Sequence, residues 1–150
     1  MKHETVLVLD FGGQYNELIA RRVRDLGVYC EVHPYKKALE KIKELCPIGI
    51  IFTGGPNSVY EEGAPKVDPA VFQLGLPILG LCYGLQMMSQ VLGGEVKSAP
   101  TREFGKTPVH YDTESLLFKG MPQEAICWMS HVDYVSRLPE GFTAICHTAG

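Results

Sequence analysis

The sequence has no apolar run long enough to cross a bilayer. Such a span needs about 20 consecutive apolar residues, and stretches such as Val6-Leu7-Val8-Leu9 are far shorter. The start, Met1-Lys2-His3-Glu4-Thr5, has no signal-peptide pattern. There is no basic excess: the formal net charge is −3, so neither nucleic acid nor an anionic membrane is an expected partner. The one basic cluster, Arg21-Arg22-Val23-Arg24, falls in an amphipathic pattern and reads as a solvated helix face. The five cysteines are odd in number, widely spaced and without a C-x-x-C pair. That argues against a disulfide framework and a zinc site, and for a reducing, cytoplasmic compartment. The five histidines are scattered with no H-E-x-x-H, so no metal is expected. Neither a Walker A loop nor a G-x-G-x-x-G is present, which argues against a phosphate or dinucleotide site. Repeats, low-complexity tracts and linkers are absent as well.

What is there is an ordinary globular composition. With 150 residues, 45% of them hydrophobic and 21% charged, the chain suits one domain with a real core. Residues 5–10 and 49–52 read as strands covered on both faces, and 29–33 and 77–81 as further strands. Helical spacing runs from Tyr15 to Leu26, with Gly27 placed to cap it, and from Ala38 to Leu45, stopped by Pro47. Asp68-Pro69 carries N-cap and first-turn signals for a helix through Leu74. Gly84–Leu92 is helical again and is closed by Gly93-Gly94. Alternating strands and helices predict an α/β fold: a doubly wound, mostly parallel sheet with helices on both faces. After Gly94 the character changes. Residues 95–98, 107–111, 124–128 and 142–147 read as short, partly antiparallel strands.

Gly80-Leu81-Cys82-Tyr83-Gly84 carries the chemistry. Small residues two before and two after Cys82 allow the sharp strand-to-helix turn of a nucleophile elbow. The helix that follows aims the positive end of its dipole at the sulfur, which favours the reactive anionic form. Taken alone, a G-x-C-x-G is matched evenly by a small cysteine in a core. Two more loops follow core strands, Asp10-Phe11-Gly12-Gly13-Gln14-Tyr15 and Thr53-Gly54-Gly55-Pro56-Asn57-Ser58. In a doubly wound sheet all three should share the ligand-binding edge. A thiolate attacking an amide carbon creates an oxyanion, for which the N–H groups of Tyr83 and Gly55 are the natural donors. Gln86, one turn beyond Cys82, is placed to hydrogen-bond a polar substrate, although an exposed helix glutamine is the commoner case.

These segments, with Arg102-Glu103-Phe104-Gly105 and Trp128-Met129-Ser130-His131, resemble a class I glutamine amidotransferase. More narrowly, Asp10–Tyr15, Leu18-Ile19-Ala20-Arg21-Arg22-Val23-Arg24, Gly27-Val28-Tyr29-Cys30-Glu31, residues 54–60 and the elbow are similar to the amidotransferase domain of the GMP synthetase family. The resemblance covers nearly the whole chain. It implies hydrolysis of glutamine through a thioester on Cys82, with an oxyanion hole at Tyr83 and Gly55. It also implies that Gln86, Gly54, Ser130 and His131 hold the substrate, and that no cofactor sits in residues 1–150. The ammonia would pass to an ATP-pyrophosphatase domain, where ATP and Mg are expected, to aminate xanthosine monophosphate. Two departures stand out. Val132 lies between His131 and Asp133 where many relatives carry Gly. The family's His-Pro-Glu base is not among these residues, so the fold is expected to be C-terminally incomplete here and the chain alone nearly inactive. A non-catalytic glutamine-binding or partner-docking module stays open as the alternative.

Overall fold

A computed structural model describes residues 3–149. The chain forms two compact units, Met1–Leu92 and Gly93–Gly150. In the first, β1 (Thr5–Asp10) is flanked by β2 (Tyr29–Pro34) and β3 (Gly49–Phe52), and β4 (Ile78–Gly80) joins β3. The order is β2-β1-β3-β4 and every pairing is parallel, with Leu7 opposite both Glu31 and Ile50. Leu7, Val8 and Leu9 are all fully buried, so both faces of β1 are covered, as its unbroken apolar run requires.

Helix α1 (Asn16–Asp25) lays Ala20, Ile19 and Val23 against Val8 and Cys30. It ends where the sequence places its cap: Gly27 adopts φ 79°, its N–H bonds Arg24 O at 2.8 Å, and Val28 N–H bonds Val23 O at 3.3 Å. Those two bonds satisfy carbonyls that a helix end leaves open. Helix α2 (Ala38–Leu45) follows a 3₁₀ turn, Tyr35–Lys37, and stops at Cys46 in a left-handed conformation just before Pro47. The steps β1→β2 and β2→β3 run in opposite directions across the sheet. Right-handed crossovers therefore place α1 and α2 on opposite faces. The predicted helix at 68–74 is a 3₁₀ turn, Pro69–Gln73, with the Asp68 side chain capping Ala70 N–H at 2.9 Å. Five residues ending before Gly75 at φ 70° are too few to propagate an α-helical ladder. Helix α3 (Tyr83–Val91) closes the unit.

The second unit is a separate antiparallel sheet, not an extension of the parallel one. Its strands are β5 (Glu95–Tyr111), β6 (Glu124–Arg137) and β7 (Cys146–His147), in the order β6-β5-β7. The four short strands expected from sequence are thus corrected to two long ones and a stub. Register irregularities between Ser98 and Glu103 and Gly105 at φ 92° interrupt the alternation that marks a strand. Pairing with β6 resumes at Glu103 and continues through Gly105, which lies opposite Met129. Of the predicted strand 142–147 only Cys146 and His147 pair, with Tyr111 and His110. Among the described residues, no helix is long and apolar enough to cross a membrane. No group of three or more His, Cys, Asp or Glu among them could hold a metal ion.

Candidate active site

Strand order reverses at β1, with β2 on one side and β3 on the other, and the loops leaving β1 and β3 part at that point. A crevice at such a switch point is where doubly wound sheets bind ligands. Here a cleft of about 380 Å³ opens there, walled by Gly12, Gly13, Asn16, Thr53, Gly54 and Cys82 among others. All three loops singled out in the sequence contribute to it. Among its lining residues none is acidic or basic.

Cys82 caps α3 with φ 54° and ψ −118°, a conformation that side chains rarely adopt. Holding a non-glycine residue in such a region costs about 1–3 kcal/mol, and such strain clusters at functional sites. The surroundings enforce it. Leu81 N–H bonds Phe52 O at 2.9 Å, and Gly84 N–H bonds both Thr53 O at 3.1 Å and Leu81 O at 3.0 Å. A Cβ on Gly84 would lie 2.6 Å from Phe52 O, and one on Gly80 would lie 2.9 Å from the Leu85 Cα, so neither position has room for a side chain. The turn therefore packs α3 directly onto the end of β3 and leaves Cys82 exposed at the cleft. Gly54 lies against it: a Cβ there would be 3.9 Å from Cys82 Sγ. Among the described residues, no backbone carbonyl is hydrogen-bonded to the N–H of Tyr83 or Gly55.

Sequence reasoning points only to the main chain of Tyr83, and its side chain proves equally telling. The ring is buried and packs near Phe11, with centroids 5.8 Å apart, while Phe11 lies 5.8 Å from Phe52. One aromatic cluster thus ties the β1 loop, the end of β3 and the elbow together. The Tyr83 hydroxyl donates to Pro65 O, which fastens the far end of the long loop. Burial pushes this phenol up to about 12. Thr53 also escapes a reading of the sequence. Fully buried, it sends Oγ1 to Leu9 O at 2.7 Å and receives Gly84 N–H on its own carbonyl, stitching β1, β3 and α3. An isolated threonine after a strand carries no signal that would reveal this.

Gln86 sits one turn into α3 with its N–H on Cys82 O at 3.1 Å, and it is not among the residues lining the cleft. Ser130 and His131 belong to β6 in the second unit. Adjacent residues on a strand point to opposite faces: Ser130 is exposed, while half-buried His131 places Nδ1 3.0 Å from Asp133 O. Within the first unit, His33 is hydrogen-bonded to Glu31 at 3.0 Å on β2. It lies three strand spacings from β4, about 14 Å, and His3 precedes the opposite end of β1. Neither reaches Cys82.

The sequence model of the glutamine amidotransferase class-I family matches residues 7–150. The chain is 62% identical over 148 residues to the glutamine-hydrolysing GMP synthase of Caldicellulosiruptor saccharolyticus, covering 99% of this chain and 29% of that protein. It is 63% identical over 145 residues to that of Finegoldia magna, covering 97% and 28%. The chain thus spans less than a third of the length of these curated relatives. Among solved structures, a candidate GMP synthase subunit from Thermoplasma acidophilum superposes with a TM-score of 0.84 at 31% identity, covering 98% of this chain and 74% of the other. A Thermotoga maritima glutamine amidotransferase shares the fold, with a TM-score of 0.71 at 22% identity over 96% and 66%. A strained elbow cysteine on a neutral cleft, in a sequence that matches the family almost end to end, places this chain in the class I glutamine amidotransferase family.

Proposed function

We propose that this chain is the glutamine-hydrolysing part of a GMP synthase and that Cys82 is its nucleophile. The observation that supports this most directly is the elbow, where a cysteine is held at φ 54° with Sγ against Gly54 on the wall of the cleft. The Cys82 sulfur adds to the carboxamide carbon of glutamine and the thiol gives up its proton. The N–H groups of Tyr83 and Gly55 take the charge that develops on the oxygen. The C–N bond breaks, ammonia leaves carrying the proton that the thiol gave up, and a glutamyl thioester remains. Water then adds to the thioester carbon, and glutamate departs as the thiol is restored. Gly54, on the wall of the cleft, lies against the bound substrate.

The ammonia goes to an ATP-pyrophosphatase domain or subunit, where ATP and Mg²⁺ activate xanthosine monophosphate for amination to GMP. That assignment draws on the glutamine-hydrolysing GMP synthases to which this chain is similar. The reaction is placed in the cytoplasm, in keeping with five free cysteines. The test is glutamate release by the complete protein, with and without ATP, Mg²⁺ and xanthosine monophosphate. A glutamine-analogue electrophile should modify Cys82 ahead of Cys30, Cys46, Cys127 and Cys146. Equal labelling of all five would remove the basis for the nucleophile.

A further inference from the structure

Asn16 opens α1 and lines the same cleft as Cys82, yet the reaction above gives it no part. The residue is only 8% exposed. Its Nδ2 turns back to donate to the Gly13 carbonyl at 3.2 Å, while its buried Oδ1 has no hydrogen-bond partner among the described residues. A buried carbonyl without a partner destabilises a folded protein, and native structures retain few of them. An apolar side chain of similar size would remove that penalty. The carboxamide therefore stands here at some expense to stability, and its one hydrogen bond shows what it holds.

Gly13 is pressed against the next loop. A Cβ at Gly13 would lie 2.5 Å from Gly54 O and 2.9 Å from the Gly54 carbonyl carbon. Gly54 in turn faces the sulfur, and a Cβ at the neighbouring Gly55 would lie 2.6 Å from Phe11 O. Asn16, Gly13, Gly54 and Cys82 thus form an unbroken line of contacts, and the β1 loop supports the Gly54-Gly55 segment from both of its residues. We propose that Asn16 is a positioning residue: by fixing the Gly13 carbonyl it holds the Gly54-Gly55 loop, and with it the Gly55 N–H, in place against Cys82. It acts through Gly13 rather than on the reacting atoms. The proposal rests on the glutaminase reading given above.

The experiment compares Asn16→Leu and Asn16→Asp with the unmodified protein, as complete chains. Asn16→Leu removes both the brace and the orphan acceptor, whereas Asn16→Asp keeps the shape but exchanges the donor for a negatively charged carboxylate. A misplacement of about 1 Å in a reacting group lowers rates on the order of a hundredfold. The expected result is roughly a 10- to 100-fold fall in kcat for glutamate release in both variants, with KM within about threefold. Alkylation of Cys82 by iodoacetamide, which needs no oxyanion loop, should keep its rate in Asn16→Leu. The melting temperature of Asn16→Leu should be unchanged or higher, which a purely structural asparagine would not give. If Asn16→Leu fails to fold, the proposal is overturned on that count, unless Asn16→Asp folds with the predicted kcat loss. Unchanged kcat in both variants also overturns it, as does a fall in kcat that tracks a fall in melting temperature. An unmodified protein that releases no glutamate removes the hydrolase reading instead, and the two failures are thereby told apart.

Discussion

The two units of this chain solve the covering of a sheet in opposite ways. In the first, parallel strands need crossovers, the crossovers are helices, and the helices bury both faces of the sheet. Leu7, Val8, Leu9, Ile50 and Phe52 are all at most 2% exposed. In the second, β5 and β6 pair locally as a long antiparallel ribbon, and the unit has no helix among its described residues. Val109 is its only buried hydrophobic residue among those described, while Trp128, Phe104 and Ile126 are 76%, 58% and 58% exposed. Lys106 lies over the Trp128 ring at 5.6 Å, which solvates part of that face without burying it. The strained nucleophile is found in the first unit, where a packed core can hold a backbone that local energetics oppose. A ribbon without a core has nothing to enforce such a conformation.

The sharpest way to break this contrast is at the elbow. Cys82→Ala should lower glutamate release by at least about 10⁴-fold, since the other groups act only on an attacked substrate. Cys82→Gly should be equally inactive yet more stable by about 1 kcal/mol, because glycine relieves the positive φ. Thermal unfolding of the two variants side by side checks this, and equal stability would mean that the core holds no strain there. Packing is tested next. Gly84→Val drives a side chain into Phe52 and should destabilise by about 3 kcal/mol or more, with loss of activity. Normal turnover in that variant would sink the close-packed elbow.

A matched pair then separates the units themselves. Leu9→Ala should lower unfolding free energy by about 2–5 kcal/mol, and Ile126→Ala by about 0.5 kcal/mol or less. Similar losses in urea titrations would mean that Ile126 is covered in the complete protein. The last effect is confined to alkaline solution. Folded Tyr83 keeps its proton to about 12, while the unfolded chain releases it near the ordinary tyrosine value of 10.0. Its contribution is therefore fully present below pH 10 and is lost as pH rises toward 12. Tyr83→Phe should flatten that limb of the stability curve, and an unchanged limb would show that the phenol is hydrated when folded.

The parts of the fold legible in the sequence share one cause, which is that local chemistry and tertiary packing agree. Helix α2 and strand β3 begin and end where periodicity and Pro47 put them, and Gly27 caps α1 because no other residue takes a left-handed turn so readily. The segment 68–74 is a 3₁₀ turn because the cap signal says where a helix begins and nothing about its hydrogen-bonding pattern. The ribbon escapes a sequence reading because its Pro and Gly positions look like breaks until a partner strand carries the backbone across them. The side-chain roles of Thr53, Tyr83 and Asn16 are invisible for a related reason. Each depends on a residue far along the chain or on burial, and neither leaves a spacing signature.

What the sequence determined by itself was the alternation of strands and helices, and with it the parallel first sheet. It also pointed to the elbow, since small residues two positions either side of a cysteine between an apolar strand and a helix allow that turn, which contacts from Phe52 and Thr53 then enforce. The identity of the three loops followed, because each leaves the carboxyl end of a core strand. The tertiary structure decided how those loops meet. It set the strand order that opens the cleft between β1 and β3, the aromatic cluster beneath the elbow, and the contacts that press Gly13 and Gly54 toward Cys82. These contacts join residues that lie far apart along the chain, and their geometry is fixed only when the core packs.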